Sequence, residues 1–185
     1  MDERAPAPSR YDNTTIRLHW LTALLVAIQW TIGQTIDAIP KGAAKLDYIG
    51  LHLTIGALLT VALLFRLAWR MGPGRRLPPA DRPAWHVIAK ATHWGLYALL
   101  AATLALGIVN AAAGGAPIYT LGWIPGFAVK NIPLRRAIQG WHGTLADAVL
   151  ILAILHSCAA LFHHYVLRDR LIRRMAPAVL IGPDR

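Results

Sequence analysis

Residues 140–165, GWHGTLADAVLILAILHSCAALFHHY, decide the fold of this chain, because they form a long apolar segment that carries four of its eight histidines. Two of these, His142 and His156, are fourteen residues apart. On an α-helix that separation is about 21 Å along the axis with about 40° of rotation, so both imidazoles point to the same side. Lipid hydrocarbon is about 30 Å thick, so one histidine would lie toward each surface of a bilayer. Histidine is costly in lipid, and we therefore interpret both as functional.

Four windows of the sequence are long and apolar enough to span a membrane, and the 185 residues are 56% hydrophobic overall. None of the windows alternates between polar and apolar residues, which favours helices over a small barrel. We predict an all-α protein, a four-helix transmembrane bundle over residues 16–167, with a flexible cytoplasmic tail at 1–15 and a basic cytoplasmic tail at 168–185. The windows are residues 16–36, 48–69, 87–113 and 138–167.

The formal net charge of +10 follows from the topology of a membrane protein. Most basic residues lie in the N-terminal tail, in the connection after the second window and in the C-terminal tail. Because basic residues concentrate on the cytoplasmic side of a membrane, this pattern predicts that both termini are cytoplasmic. The lipid bilayer is thus the expected partner, and nucleic-acid binding is the weaker explanation of the charge.

The sequence contains a short internal repeat. Residues 50–56, GLHLTIG, match residues 140–146, GWHGTLA, and His19-Trp20 early in the first window matches His93-Trp94 in the third. A parallel repeat of two helices would place matching positions at equal depth. We therefore expect His52 and His142 at one depth near the outer surface, and His19 and His93 at one depth near the inner surface.

Histidines that face each other from different helices are typical axial ligands of haem, each ring being oriented by a hydrogen-bond partner. His52 and His142 meet the depth requirement for an outer haem. For an inner haem there are more candidates than places, and depth alone does not decide between His93 and His156, while the repeat favours His93. The inner candidates are His19, His93, His156, His163 and His164.

Other uses of membrane histidines fit less well. A zinc site would cluster its ligands at one level instead of two. A proton relay should include buried acids, and the candidate in the membrane, Asp147, points about 140° away from His142 on a helix. Covalent attachment of a c-type haem needs a C-x-x-C-H motif, which the sequence lacks.

The chain resembles the bacterial cytochrome b561 family over about residues 11–177. The resemblance rests on five marks in the sequence. They are Arg17-Leu18-His19-Trp20, His52 with Gly56, Phe65-Arg66-Leu67, residues 141–146, and His156 with His163-His164-Tyr165. Similarity is lowest in the outer connection, residues 112–136.

The resemblance implies a small four-helix cytochrome of the bacterial inner membrane with two haem b groups, working in electron transport and the respiratory chain. It implies His52 with His142 as the ligands of the outer haem and His19 with His156 as those of the inner haem. His93 then becomes a residue near the inner haem or near a quinone. Some members of the family are superoxide oxidases that pass electrons to ubiquinone.

Other candidate site residues are polar groups near the two histidine levels. Arg66 lies fourteen residues after His52 and is a candidate partner of a haem propionate. Candidates for quinone or propionate contacts are His93, His163 and Trp20. Candidates for steering an anion toward the outer haem are Lys130, Arg135 and Arg136.

Two functions remain open from the sequence. The first is a superoxide:ubiquinone oxidoreductase, with superoxide oxidised outside and ubiquinone reduced within the membrane. The second is a haem b subunit that accepts electrons from a periplasmic dehydrogenase or a soluble cytochrome. We assign no catalytic residue beyond the haem ligands.

Overall fold

The computed structural model of the protein describes residues 10–78, 83–113, 131–169 and 171–177. These residues form four long helices and, within the described ranges, no strand. Each helix is long and apolar enough to cross a membrane, which confirms the predicted all-α, four-helix architecture. The helices are α1 (Asn13–Thr35), α2 (Ala43–Met71), α3 (Pro83–Ala112) and α4 (Ile132–Phe162).

Polar side chains set where α1 and α4 begin. The carboxylate of Asp12 accepts hydrogen bonds from the backbone N–H of Thr15 at 2.8 Å and from its hydroxyl at 2.7 Å. This cap starts α1 at Asn13, so residues 13–15 belong to the helix and not to the tail in which we had placed them. Asn131 caps α4 in the same way, accepting from the backbone N–H of Leu134 at 3.0 Å.

The helices pair as two hairpins, α1 with α2 and α3 with α4. A 3₁₀ turn at Ile36–Ala38 ends the first helix, and Gly42, with φ of 154°, precedes the second. That backbone angle favours glycine, since side chains rarely tolerate it. The short connection makes α1 and α2 antiparallel neighbours.

The apolar core lies at the middle of the bundle. It is formed by buried residues of three helices: Leu59, Leu63, Leu100 and Val149. Val149 is seven residues from both His142 and His156, so the core separates the two histidine levels. Large apolar side chains on the outside, such as Leu64 at 61% exposure, suit a lipid environment.

Both ends of the described chain lie on one face of the bundle, which we call the terminal face. The helical structure of α4 continues through a π turn at His163–Leu167, and a 3₁₀ turn follows at Leu171–Arg174. The backbone N–H of Tyr11 donates to the carbonyl of Arg174 at 3.1 Å. The first and last described segments are therefore directly bonded to each other, and the placement of this face in the cytoplasm stays a prediction.

Candidate functional site

The histidine pair that we predicted for the outer level, His52 with His142, joins α2 to α4. The ring centroids of His52 and His142 are 6.2 Å apart, and the ring planes are inclined by 79°. The pair lies at the ends of these helices that are remote from the terminal face. The structure thus brings together the two histidines that the internal repeat placed at one depth.

His142 is held by the backbone of α3. Its Nδ1 lies 2.9 Å from the carbonyl oxygen of Thr103, and because a carbonyl only accepts, Nδ1 carries the proton and donates it. The lone pair of the neutral ring is therefore on Nε2, the form that binds a metal. Gly107 allows this approach, since a Cβ there would lie 3.1 Å from Cε1 of His142.

His52 is supported through its backbone. Nε2 of Gln29 donates to the carbonyl of His52 at 2.8 Å, and a Cβ on Gly56 would lie 3.1 Å from that same Nε2. Nδ1 of the His52 ring is buried and has no hydrogen-bond partner in the described part of the chain. Among the described residues, His52 thus lacks on Nδ1 the orienting hydrogen bond that His142 has from its own Nδ1.

The inner level contains three histidines from three helices. The ring centroids of His19 and His156 are 6.3 Å apart, and those of His93 and His156 are 5.2 Å apart. The two spacings differ by more than 1 Å, which is enough to distinguish a pair that could bind one metal ion between its rings from a pair that could not.

Metal ligation sets a definite distance between two opposed imidazoles. A metal–nitrogen bond of about 2.0–2.1 Å plus about 1.2 Å from nitrogen to ring centre puts two opposed rings about 6.4 Å apart. The His52–His142 and His19–His156 spacings of 6.2 and 6.3 Å fit this arrangement, and the His93–His156 spacing of 5.2 Å is too short for it. The spacing thus fits His19 better than His93 as a ligand opposite His156, while the choice between His93 and His156 as the inner ligand stays a prediction.

Arg66 of α2 lies beside the inner pair. Its Nη2 is 3.0 Å from Nδ1 of His19, and its guanidinium carbon is 5.3 Å from the ring centroid of Tyr97. An arginine only donates, so in this contact Nδ1 of His19 accepts and the proton of the neutral ring sits on Nε2. Binding of a metal through Nε2 requires the opposite arrangement, in which Nδ1 carries the proton and Arg66 pairs elsewhere.

The remaining predicted residues lie away from the two pairs. Trp20 donates from Nε1 to the carbonyl of Met175 at 2.9 Å, and His163 contacts Asp169 and the ring of Trp85, all toward the terminal face. Arg135 has a buried Nε without a partner among the described residues, and Arg136 is exposed. Lys130 lies outside the described residues.

Asp147 takes no part in either pair. Its Oδ1 accepts hydrogen bonds from Nε1 of Trp30 at 2.9 Å and from Nε2 of Gln34 at 3.0 Å, both on α1. The structure thus places it between α1 and α4, as its angle to His142 indicated. Within the described ranges, no group of three or more histidine, cysteine or acidic residues is placed to hold a metal ion.

Sequence reasoning missed the residues that support the histidines. The carbonyl of Thr103 acts through the backbone, so its side chain gives no signal. Gln29 and Gly107 do leave a trace, as a polar residue and an isolated glycine inside apolar helices. Such positions suggest close packing or a polar contact, but the partner becomes visible only in the folded bundle.

Four membrane-spanning helices that present paired imidazoles at two depths define a haem-binding integral membrane protein. The chain belongs to the prokaryotic cytochrome b561 family, whose model matches residues 10–178. It is therefore a membrane haem protein of the electron-transport class and a multi-pass protein of the bacterial inner membrane, which confirms the resemblance noted in the sequence.

Three relatives cover nearly the whole chain. "Cytochrome b561 homolog 1" of Escherichia coli (strain K12) is 33% identical over 174 residues, which are 91% of this chain and 98% of the relative. "Cytochrome b561 homolog 2" of the same strain is 31% identical over 180 residues, or 91% and 92% of the two chains. "Probable superoxide oxidase CybB" of Yersinia pestis is 29% identical over 172 residues, or 91% and 96%.

Proposed function

We propose that the protein holds two haem b groups and passes electrons from superoxide on the outer side to ubiquinone. The observation that carries this proposal is the pair of imidazole spacings, 6.2 Å for His52–His142 and 6.3 Å for His19–His156. At each spacing, the two imidazoles could hold one iron between them. The Yersinia pestis relative, named a probable superoxide oxidase, supports the choice of substrate.

The overall reaction balances in electrons and protons. Two superoxide radicals each lose one electron and leave as dioxygen, while one ubiquinone takes up two electrons and two protons to become ubiquinol. Haem, when bound, supplies the one-electron redox couple that links the two half-reactions. The protein supplies the ligands, their spacing and the surrounding charge.

The chain's own residues would orient and tune the two sites. The Thr103 carbonyl fixes the tautomer of His142, and Gly107 leaves room for its ring. To ligate through Nε2, His19 must give up its hydrogen bond from Arg66. The released guanidinium would then pair with a haem propionate. His93 lies beside His156 at a spacing too short for a shared metal. We propose it as a contact for a propionate or for ubiquinone. His163 and Trp20 are further candidates, nearer the terminal face.

Basic residues at the outer end of α4 support an anionic substrate. The buried Nε of Arg135 has no partner among the described residues, and Arg136 is exposed one residue further on. Lys45, also on this side, already pairs with Asp37 at 3.2 Å. We propose that Arg135 and Arg136, with Lys130, raise the local concentration of superoxide.

The first experiment counts the cofactor. Oxidised and reduced visible spectra of the purified protein, with a pyridine haemochrome determination, should give two b-type haems per chain. One haem would refute the two-site arrangement, and none would refute the proposal as a whole.

The second experiment tests the substrates. With a superoxide generator, the purified protein should reduce ubiquinone in the steady state, and superoxide should reduce its haem at a near-diffusional rate. Failure of that reduction in a fully haem-loaded sample would reject the superoxide step. The alternative, a subunit that accepts electrons from a periplasmic dehydrogenase or cytochrome, is favoured instead if such a protein reduces the haem and superoxide does not.

A further inference from the structure

Three chain segments meet at the terminal face and are bonded to one another. They are residues 10–12 before α1, residues 72–78 after α2, and residues 171–177 after α4. Asp12 accepts hydrogen bonds from Nε1 of Trp69 and from the backbone N–H of Arg75, both at 3.0 Å. The Tyr11–Arg174 backbone bond at 3.1 Å ties the third segment to the first.

Each of these segments contributes one arginine to the junction. Nη1 of Arg75 donates to the carbonyl of Arg10 at 3.3 Å, and Nη1 of Arg174 donates to the carbonyl of Pro78 at 2.8 Å. Nε of Arg10 is buried and has no acceptor in the part of the chain that the structure describes. We call these three residues the arginine cluster.

The arginine cluster lacks a neutralising carboxylate among the described residues. Asp12 lies at the junction, but its carboxylate is taken up by Thr15, by the indole of Trp69 and by the Arg75 backbone. Partial burial alone would raise the pKa of Asp12, but these hydrogen bonds lower it from 3.8 to about 2, so the acid is committed to holding the segments together. The guanidinium groups that are bonded here contact neutral carbonyls instead.

The position and the chemistry of the cluster indicate its ligand. Arg10 and Arg75 lie three and four residues from the ends of α1 and α2, and Arg174 lies seven residues after the π turn that extends α4. Lipid headgroups surround a membrane protein near the ends of its spanning helices. Guanidinium groups present planar donor forks that match phosphate oxygens, and a buried N–H without an acceptor leaves a hydrogen bond to be made. Basic pockets at the ends of membrane helices are suited to anionic headgroups.

We propose that the arginine cluster of Arg10, Arg75 and Arg174 binds the phosphate group of an anionic phospholipid. The proposal does not depend on the redox function, because the cluster shares no residue with either histidine pair. Free inorganic phosphate would offer the same chemistry, so the experiment includes it as a separate arm.

The test measures lipid retention by the full-length, haem-loaded protein in detergent. Native mass spectrometry would follow titration with phosphatidylglycerol, with phosphatidylcholine of the same chains as the zwitterionic comparison. The double variant R10Q/R75Q should weaken phosphatidylglycerol binding about 25-fold, since each arginine that contacts the headgroup contributes about five-fold. R174Q should weaken it about five-fold.

The matched control is R76Q, which removes an exposed arginine next to Arg75 that makes no hydrogen bond to another described residue. It should change phosphatidylglycerol binding less than two-fold. An equal loss in R76Q would overturn the proposal in favour of diffuse surface charge, and equal binding of phosphatidylcholine would overturn it as well. Retention of inorganic phosphate without retention of phosphatidylglycerol would reject the lipid as the ligand.

Folding of the variants is checked separately, because the cluster also joins three segments. The haem spectrum and the melting temperature should stay unchanged in R75K, which keeps the charge and loses the planar fork. R75K should still weaken phosphatidylglycerol binding, by less than R75Q does. If R75K and R75Q bind the lipid as tightly as the unmodified protein, the cluster is not the site.

Discussion

Gly107 of α3 controls how closely His142 approaches its supporting carbonyl. In Gly107→Ala, the new methyl group would lie 3.1 Å from Cε1 of His142, whereas ordinary contact begins at 3.4 Å. The ring must therefore retreat by about 0.3 Å, which strains both its bond to Thr103 and its spacing from His52. Loss of such a supporting contact typically costs 10–100-fold in metal affinity, so we expect about a ten-fold weaker outer haem, or about 1.4 kcal/mol.

The same substitution should not weaken the helix. Replacing glycine by alanine inside a helix gains about 0.8–1.0 kcal/mol of helix propensity. A general loss of stability therefore cannot explain the expected loss of haem. The assay is haem titration of the purified protein, with the outer and inner haems distinguished by their spectra and potentials.

Gly95→Ala is the matched control on the same helix. A Cβ there would lie 3.5 Å from Cδ2 of Leu152, an ordinary contact, and the gain in helix propensity is the same. Gly95→Ala should retain both haems at unchanged affinity. If Gly107→Ala binds haem as tightly as Gly95→Ala does, the argument that Gly107 positions His142 is refuted.

Three further predictions follow from the two histidine levels and the terminal face. His52→Ala and His142→Ala should each remove one haem and leave the spectrum of the other intact; loss of both haems from a folded protein would contradict two independent sites. Arg66→Gln should lower the potential of the inner haem by some tens of millivolts, because a nearby cation favours the reduced form, and a redox titration that shows no shift would remove Arg66 from the propionate role. Asp12→Asn should lower the melting temperature near neutral pH, because asparagine can still cap α1 but loses the charge of the carboxylate that Thr15, Trp69 and Arg75 bond to. Because the pKa of Asp12 is lowered to about 2, its contribution is complete above pH 4 and is lost as the pH falls toward 2, so the difference between the two proteins should vanish there.

The four-helix architecture could be predicted from the sequence because each helix is recognisable from its own apolar length. Apolar length identifies a membrane helix without reference to its neighbours, and the repeat aligned His52 with His142. The predicted window starts at residue 16, three residues after the observed start of α1, because the cap Asp12 lies outside the apolar stretch. A local error of this kind leaves the fold unchanged.

The inner site shows where sequence reasoning ends. The sequence gives only the depth of a side chain along its helix, and His93 and His156 both lie at a depth suitable for a ligand of the inner haem. Their separation of 5.2 Å, against 6.3 Å for His19 and His156, depends on how three helices pack and rotate. The repeat favours His93 and the family resemblance favours His156, because equal depth in two halves of a chain does not determine which of two residues faces a third.

The apolar core between the two histidine levels has an electrical consequence. Leu59, Leu63, Leu100 and Val149 close the bundle with side chains that can neither carry a proton nor solvate an ion. An electron can tunnel through such a layer, whereas a proton or a metal ion would have to be stripped of water to enter it. The middle of the bundle is thus an insulator for ions, and any charge that balances a moving electron must reach the protein from the aqueous phase on either side.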